Sequence, residues 1–289
     1  MDTSELLKKV RKIEIKTKGL SKQIFSGEYH SAFKGRGMSF SEVRSYQYGD
    51  DVRNIDWNVT ARTGEPHVKI FEEERELTVM LLIDVSQSAY FGTVNQFKQS
   101  IITEICAVLS FSAIQNNDKV GVIFFTSKIE KFIPPKKGRQ HILRIIRELI
   151  DFHPEDRSTG LGEALGYFTN VVKKRSICFI LSDFMTRSYE TPLRIAARRH
   201  DIVGVHLYDP KEQTLPNMGL VHARDAETGE LTWLDTSSAF LRKRYTSWFD
   251  ENLRYFKTTF AKSGLDTVSI CTDENYVTSL LTFFKKRGR

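Results

Sequence analysis

The chain has 289 residues, 40% of them hydrophobic and 27% charged, enough apolar material for one large soluble domain or for one domain plus a smaller one. No run approaches the roughly 18 to 20 apolar residues that span a bilayer, and the opening MDTSELLKKVRKIEIK alternates charge with Leu, Val and Ile instead of forming a signal-peptide core; a cytoplasmic protein without a membrane span is expected. The net charge of +7 does not by itself call for nucleic acid, because apart from the stretch KKRGR the basic residues are scattered and interleaved with acids.

Residues 1–75 read differently from 76–289 and are expected to form a separate β-rich amino-terminal region. After a charged opening that suits a short helix, the stretch from Ser26 to Glu76 is rich in Gly, Tyr, Arg and Asp and has no long amphipathic period, so short strands and turns are expected. Within it, YGDDVRNIDW gathers Asp50, Asp51, Arg53, Asp56 and Trp57, with Arg62 just beyond. Two carboxylates so close suit acid and base chemistry, but no His or Cys stands near enough in sequence to complete it. Arginines at this density tie loops together through bidentate contacts. A structural latch against the larger domain, with Trp57 buried, is therefore expected.

From residue 78 onward strands and helices alternate. TVMLLID from Thr78, KVGVIFF from Lys119, SICFILSD from Ser176, DIVGVHL from Asp201 and LDTVSI from Leu265 are near-continuous apolar runs, the pattern of strands buried on both faces of a parallel sheet. Thr93 and Gln96 form a T-x-x-Q capping box, followed at helical spacing by Phe97, Ile101, Ile105, Val108 and Ser112. Further helices are expected from Gly138, from Leu161, and over TPLRIAARRH, where Pro192 suits a first turn. A long helix from about Ser238 presents Phe240, Tyr245, Trp248, Phe249, Phe256 and Phe260 as its apolar stripe, and Gly264 stops it. Two departures from alternation are expected: KVGVIFFTSKIEKFIPP as a strand turning into an antiparallel edge strand, and a β-hairpin over GLVHARDAETGELTWLDT around a turn at 226–229. Cys106, Cys178 and Cys271 each lie in apolar stretches and read as buried reduced thiols. The whole is expected to be a doubly wound α/β sheet.

In that architecture ligands bind at the carboxyl ends of strands, and TVMLLIDVSQS ends its apolar run there at Asp84, followed by Ser86 and Ser88. Alternate side chains of an extended segment point the same way, so these three oxygens can converge. The same residue types also make ordinary turns and helix caps. Two further oxygen donors belong at the same end of the sheet: Thr159 in STGLGEAL, on a loop opening a helix, and Asp183 in FILSDF, at the end of another apolar strand. Gly160 and Gly162 ease the turn into that helix and allow close backbone approach. A carboxylate-and-hydroxyl set is hard, and suits Mg2+, Mn2+ or Ca2+ better than Zn2+.

The combination D-x-S-x-S, T-x-x-G-x-A-L and a later strand-ending Asp resembles the metal-ion-dependent adhesion site of von Willebrand factor A domains. The resemblance implies that Asp84, Ser86, Ser88, Thr159 and Asp183 hold a divalent ion, Mg2+ first, at an exposed edge, and that a partner protein completes it with an Asp or Glu. The run YGDDVRNIDW, then ARTGEPHVKIFEEERE leading into the first strand, resembles the bacterial family known as domain of unknown function fifty-eight. That resemblance implies a non-enzymatic adaptor or co-chaperone for a MoxR-type AAA+ ATPase.

The alternatives are a metal-dependent phosphohydrolase and a basic nucleic-acid-binding protein. Asp84 stands where haloacid-dehalogenase phosphatases carry their nucleophile, but Ser86 occupies the place of their acid and cannot do its work. Nucleic-acid binding would show a steep salt dependence.

Overall fold

The computed structural model describes residues 39–72, 77–90, 97–225 and 229–287, together with Lys8, Arg11, Ile13 and Glu14. Contacts divide the chain into two units, Lys34–Leu77 and the remainder.

In the smaller unit β1 (Ser39–Ser45) pairs antiparallel with β2 (His67–Glu72). Between them lie a 3-10 turn at Val52–Asn54 and the short helix α1 (Trp57–Thr63), closed by Gly64 in the left-handed conformation at φ 78°. The acids of YGDDVRNIDW act locally here. Asp51 caps the 3-10 turn, and Asp56 caps α1 by accepting from Asn58 and Val59. Asp50 takes a bidentate pair at 2.7 and 2.8 Å from Arg44, which lies outside the motif. Trp57 corrects the sequence expectation: at the first position of α1 its side chain is 70% exposed, and the Asp56 cap, made to the N–H groups of Asn58 and Val59, asks nothing of its ring.

The larger unit is built on one six-stranded sheet. Its strands are β3 (Thr78–Asp84), β4 (Lys119–Phe125), β5 (Ile129–Lys136), β6 (Ile177–Ser182), β7 (Asp201–Tyr208) and β10 (Asp266–Cys271), in the order β10-β7-β6-β3-β4-β5. All neighbours are parallel except β4 and β5, so the expected antiparallel edge is β5, which carries Pro134 and Pro135. The central strands are apolar on both faces because both are covered: from Val79 to Ile83 and from Cys178 to Leu181 every residue is 0% exposed. The covering helices are α2 (Lys98–Gln115), α3 (Arg139–Ile150), α4 (Leu161–Val171), α5 (Glu190–Ala197), the single turn α6 (Pro210–Gln213), α7 (Ala239–Lys262) and α8 (Tyr276–Arg287). The inserted hairpin is β8 (Leu220–Arg224) with β9 (Leu231–Asp235); residues 226–228 of its turn lie outside the described residues. All three cysteines are buried and free.

Two helices differ from their expected patterns. Thr93 and Gln96 lie outside the described residues, and α2 starts at Lys98, after an N-cap Phe97 that is 59% exposed. From Ile101 to Ala113 this helix is buried all round, so it has no polar face to give it an amphipathic period. In α7 the expected stripe is kept only from Phe249 onward: Phe249, Phe256 and Phe260 are buried, whereas Phe240 is 77% and Trp248 47% exposed. At about 1.5 Å per residue the 24-residue helix runs far past strands of six to eight residues. Only its last turns lie over the sheet, where Phe256 and Phe260 leave Gly204 of β7 no room for a Cβ, which would meet their rings at 2.8 and 2.7 Å.

Candidate functional site

The chain adds strands on one side of β3 through β4 and β5, then returns to the other side with β6. That reversal opens a crevice at the carboxyl ends of β3 and β6, where Asp84 is the last residue of β3 and Asp183 follows the last residue of β6. All five sequence-derived oxygens gather there or on the adjoining loop.

Asp84 Oδ1 accepts from the backbone N–H of Ser86 at 3.0 Å, turning the chain as it leaves β3. The turn brings Ser86 Oγ to 3.1 Å from Ser88 Oγ, and Thr159 Oγ1 donates to Ser86 Oγ at 3.0 Å. Backbone bonds fix the two loops: Val85 N–H reaches Phe125 O at 3.0 Å, Gln87 N–H reaches Arg157 O at 3.1 Å, and Gly160 N–H reaches Thr126 O at 2.8 Å. Gly160 is required by this approach, since a Cβ there would sit 2.7 Å from the carbonyl oxygen of Ser127. Gly162 is not, because its added Cβ would meet nothing closer than 3.6 Å.

The β6 side is held by a residue the sequence reading passed over. Ser182 Oγ donates to Asp84 Oδ2 at 2.7 Å and accepts from Phe184 N–H at 3.1 Å. Phe184 takes a positive φ of 52°, unusual for a side chain of its size. Burying its ring, stacked on Phe256 at 4.1 Å, stabilises that conformation. Asp183 Oδ1 accepts from Met185 N–H at 3.2 Å.

Two further charged residues, Lys98 and Glu212, complete the site. Lys98 opens α2, is 1% exposed, and places Nζ 3.1 Å from Asp183 Oδ2 and 2.6 Å from Glu212 Oε1. Glu212 belongs to a capping box on α6, where Asp209 accepts from Lys211 N–H and Glu212 Oε2 accepts from Asp209 N–H at 2.8 Å. The sequence offers a lysine at the head of an apolar helix and a D-P-K-E cap directly after a buried strand, but nothing in it pairs the two.

Burial, and then the nearby charge of Asp183, pushes the Asp84 carboxyl up to about 6. Burial works against ionisation of Asp183 too, but Lys98, Ser88 and the Met185 N–H outweigh it and hold this carboxyl below its usual range. Burial likewise disfavours the Lys98 ammonium, yet Asp183 and Glu212 raise its pKa. The amine is thus held protonated. Burial raises Glu212 despite Lys98.

As a donor set the residues fit a hard divalent cation: three hydroxyl oxygens, those of Ser88 and Thr159 each in contact with that of Ser86, beside two buried carboxylates, with no sulfur or imidazole among them. Among the described residues no group of three or more His, Cys, Asp or Glu could hold a metal, so any ion here depends on hydroxyls. The expected exposed edge needs correction. Asp84, Ser86 and Asp183 are buried, and only Ser88 and Thr159 are half-exposed, because the strand ends are tucked beneath the loops that follow them.

Among the described residues no helix is long and apolar enough to cross a membrane. The uncharacterized protein Rv1480 of Mycobacterium tuberculosis is 28% identical over 292 residues, spanning 100% of this chain and 92% of its own length. YeaD of Bacillus subtilis is 29% identical over 113 residues, spanning 39% of this chain and 26% of its own. Among solved structures, the conserved hypothetical protein BatB from Bacteroides thetaiotaomicron matches 73% of this chain and 98% of its own at 15% identity and a TM-score of 0.49. The SpRpn10 VWA domain matches 72% and 95% at 11% identity and a TM-score of 0.41. The central sheet is doubly wound and mostly parallel, and the model of the family described as "Protein of unknown function DUF58" matches residues 42–253: the chain belongs to that family.

Proposed function

We propose that the chain is a non-enzymatic protein-binding module whose contact point is a divalent ion, Mg2+ or in its place Mn2+ or Ca2+, held by Asp84, Ser86, Ser88, Thr159 and Asp183. The observation that carries this reading is the convergence of three hydroxyls, with Ser86 Oγ 3.1 Å from Ser88 Oγ and 3.0 Å from Thr159 Oγ1, beside Asp84 at the strand reversal. Neutral hydroxyl donors leave a bound dication most of its charge, so it supplies a position for an anionic oxygen from outside. Ser88 and Thr159, the half-exposed members, frame the side from which such an oxygen arrives. An Asp or Glu of a partner protein has the right chemistry, and the family resemblance points to a MoxR-type AAA+ ATPase in the cytoplasm as that partner.

Binding without catalysis is favoured by the state of the one amine at the site. Lys98 is protonated between Asp183 and Glu212, so it has no lone pair with which to act as nucleophile or base.

The test is calorimetric titration of the full chain with Mg2+ and Mn2+, followed by pull-down of a MoxR-type ATPase in Mg2+ and in EDTA. One site is expected, lost in Asp84→Ala, together with ATPase capture that EDTA abolishes. An unchanged titration in Asp84→Ala would remove the metal, and capture that persists in EDTA would remove it from the interface.

A further inference from the structure

Lys98 is not among the oxygen donors, yet it is as deeply buried as the carboxylates of the site. An ammonium 1% exposed persists only where anions compensate its lost hydration, and it has two, at 2.6 Å and 3.1 Å. The second contact occupies Asp183 Oδ2, while Oδ1 is taken by Met185 N–H. Asp183 therefore has both oxygens engaged with the fold itself. Nor is the lysine free to swing aside. Glu212 is fixed through Asp209, whose Oδ2 accepts from Thr272 Oγ1 at 3.1 Å, so the amine is anchored from the ends of β7 and β10.

Resting on the reading that the site takes a divalent ion, we propose that Lys98 is a tethered internal cation that competes with that ion for Asp183, and that Glu212 holds it there. The site is thereby kept intact without metal, and its affinity for metal is kept low. The charge count agrees: Asp183 and Glu212 share one ammonium, leaving one negative charge, and removing Lys98 leaves two, besides that of Asp84 when it is ionised. A purely structural lysine, needed only to orient Asp183, makes the opposite forecast, because its loss would disorder a ligand.

The experiment is calorimetric titration of Mn2+ and Mg2+ into the full chain as wild type, Lys98→Met and Glu212→Gln. Lys98→Met is expected to bind roughly ten-fold or more tightly, and to lose thermal stability without metal that saturating Mn2+ restores. Glu212→Gln removes a negative charge and leaves the ammonium to Asp183 alone, so it should bind several-fold more weakly. If Lys98→Met fails to fold, Lys98→Met/Glu212→Gln replaces the ion pair by neutral groups of similar volume and should also bind more tightly than wild type. Binding in the Lys98 variants equal to or weaker than wild type overturns the proposal and leaves the metal reading standing. Absence of binding in every form overturns both, whereas binding only in the Lys98 variants supports the competing lysine and overturns the reading that the native chain takes a divalent ion.

Discussion

Ser182 donates its hydroxyl to Asp84 at 2.7 Å across 98 positions of sequence, joining the two strand ends that flank the site. The same oxygen accepts from the Phe184 N–H at 3.1 Å, so one buried atom serves both sides of the crevice. Ser182→Ala would leave a carboxylate oxygen and an N–H without this partner. The expected loss is about 1 to 3 kcal/mol of stability, read as a lower urea midpoint with unchanged slope.

Gly160→Ala should act through sterics. Its new methyl would lie 2.7 Å from Ser127 O and 2.9 Å from Ser127 Cα, both backbone atoms that cannot rotate away. Destabilisation of about 1 to 3 kcal/mol is expected, along with weaker Mn2+ binding, because the displaced loop carries Thr159. Gly162→Ala, at ordinary contact distance, is the control and should leave binding unchanged.

Trp57→Ala is expected to change stability by no more than about 0.5 kcal/mol, since the ring is 70% exposed. Arg44→Ala should cost more, because it breaks the bidentate pair with Asp50. Thermal melts of the two variants rank them, and a larger loss from Trp57→Ala would show that its ring is buried in solution.

Acid should weaken the fold through two histidines. His200, with Nδ1 2.9 Å from Ser176 Oγ, and His206, inside β7, are both lowered by burial from 6.5 to about 4. Both stay neutral in the native state, while in the unfolded chain they protonate near 6.5. Their contribution is therefore complete above that pH and is lost as the pH falls toward 4. At about 1.4 kcal/mol per pKa unit the combined loss is on the order of a few kcal/mol. Urea unfolding at pH 7.5 and 5.0 measures it, and His200→Asn should flatten the difference.

The sheet was legible because strands covered on both faces leave unbroken apolar runs, as at TVMLLID and ICFILS. The hydroxyl set was legible because Ser86 and Ser88 follow a strand end at alternate positions and Thr159 opens a helix. Lys98 and Glu212 were not. A charged residue reads as surface, and their pairing spans 114 positions, which no local spacing encodes. Trp57 failed in the opposite sense: aromatic bulk suggested burial, but the ring is 70% exposed and the cap of its helix engages only Asn58 and Val59. In α7 the stripe could be read, yet not where along its length the sheet ends.

Pro134 and Pro135 sit near the end of β5, the outermost strand beside β4. Neither has an N–H, so over these two residues the margin cannot donate to an incoming strand. Recruitment of another polypeptide by extending the ladder is thereby hindered along this border, which also hinders growth of the sheet from molecule to molecule into fibres.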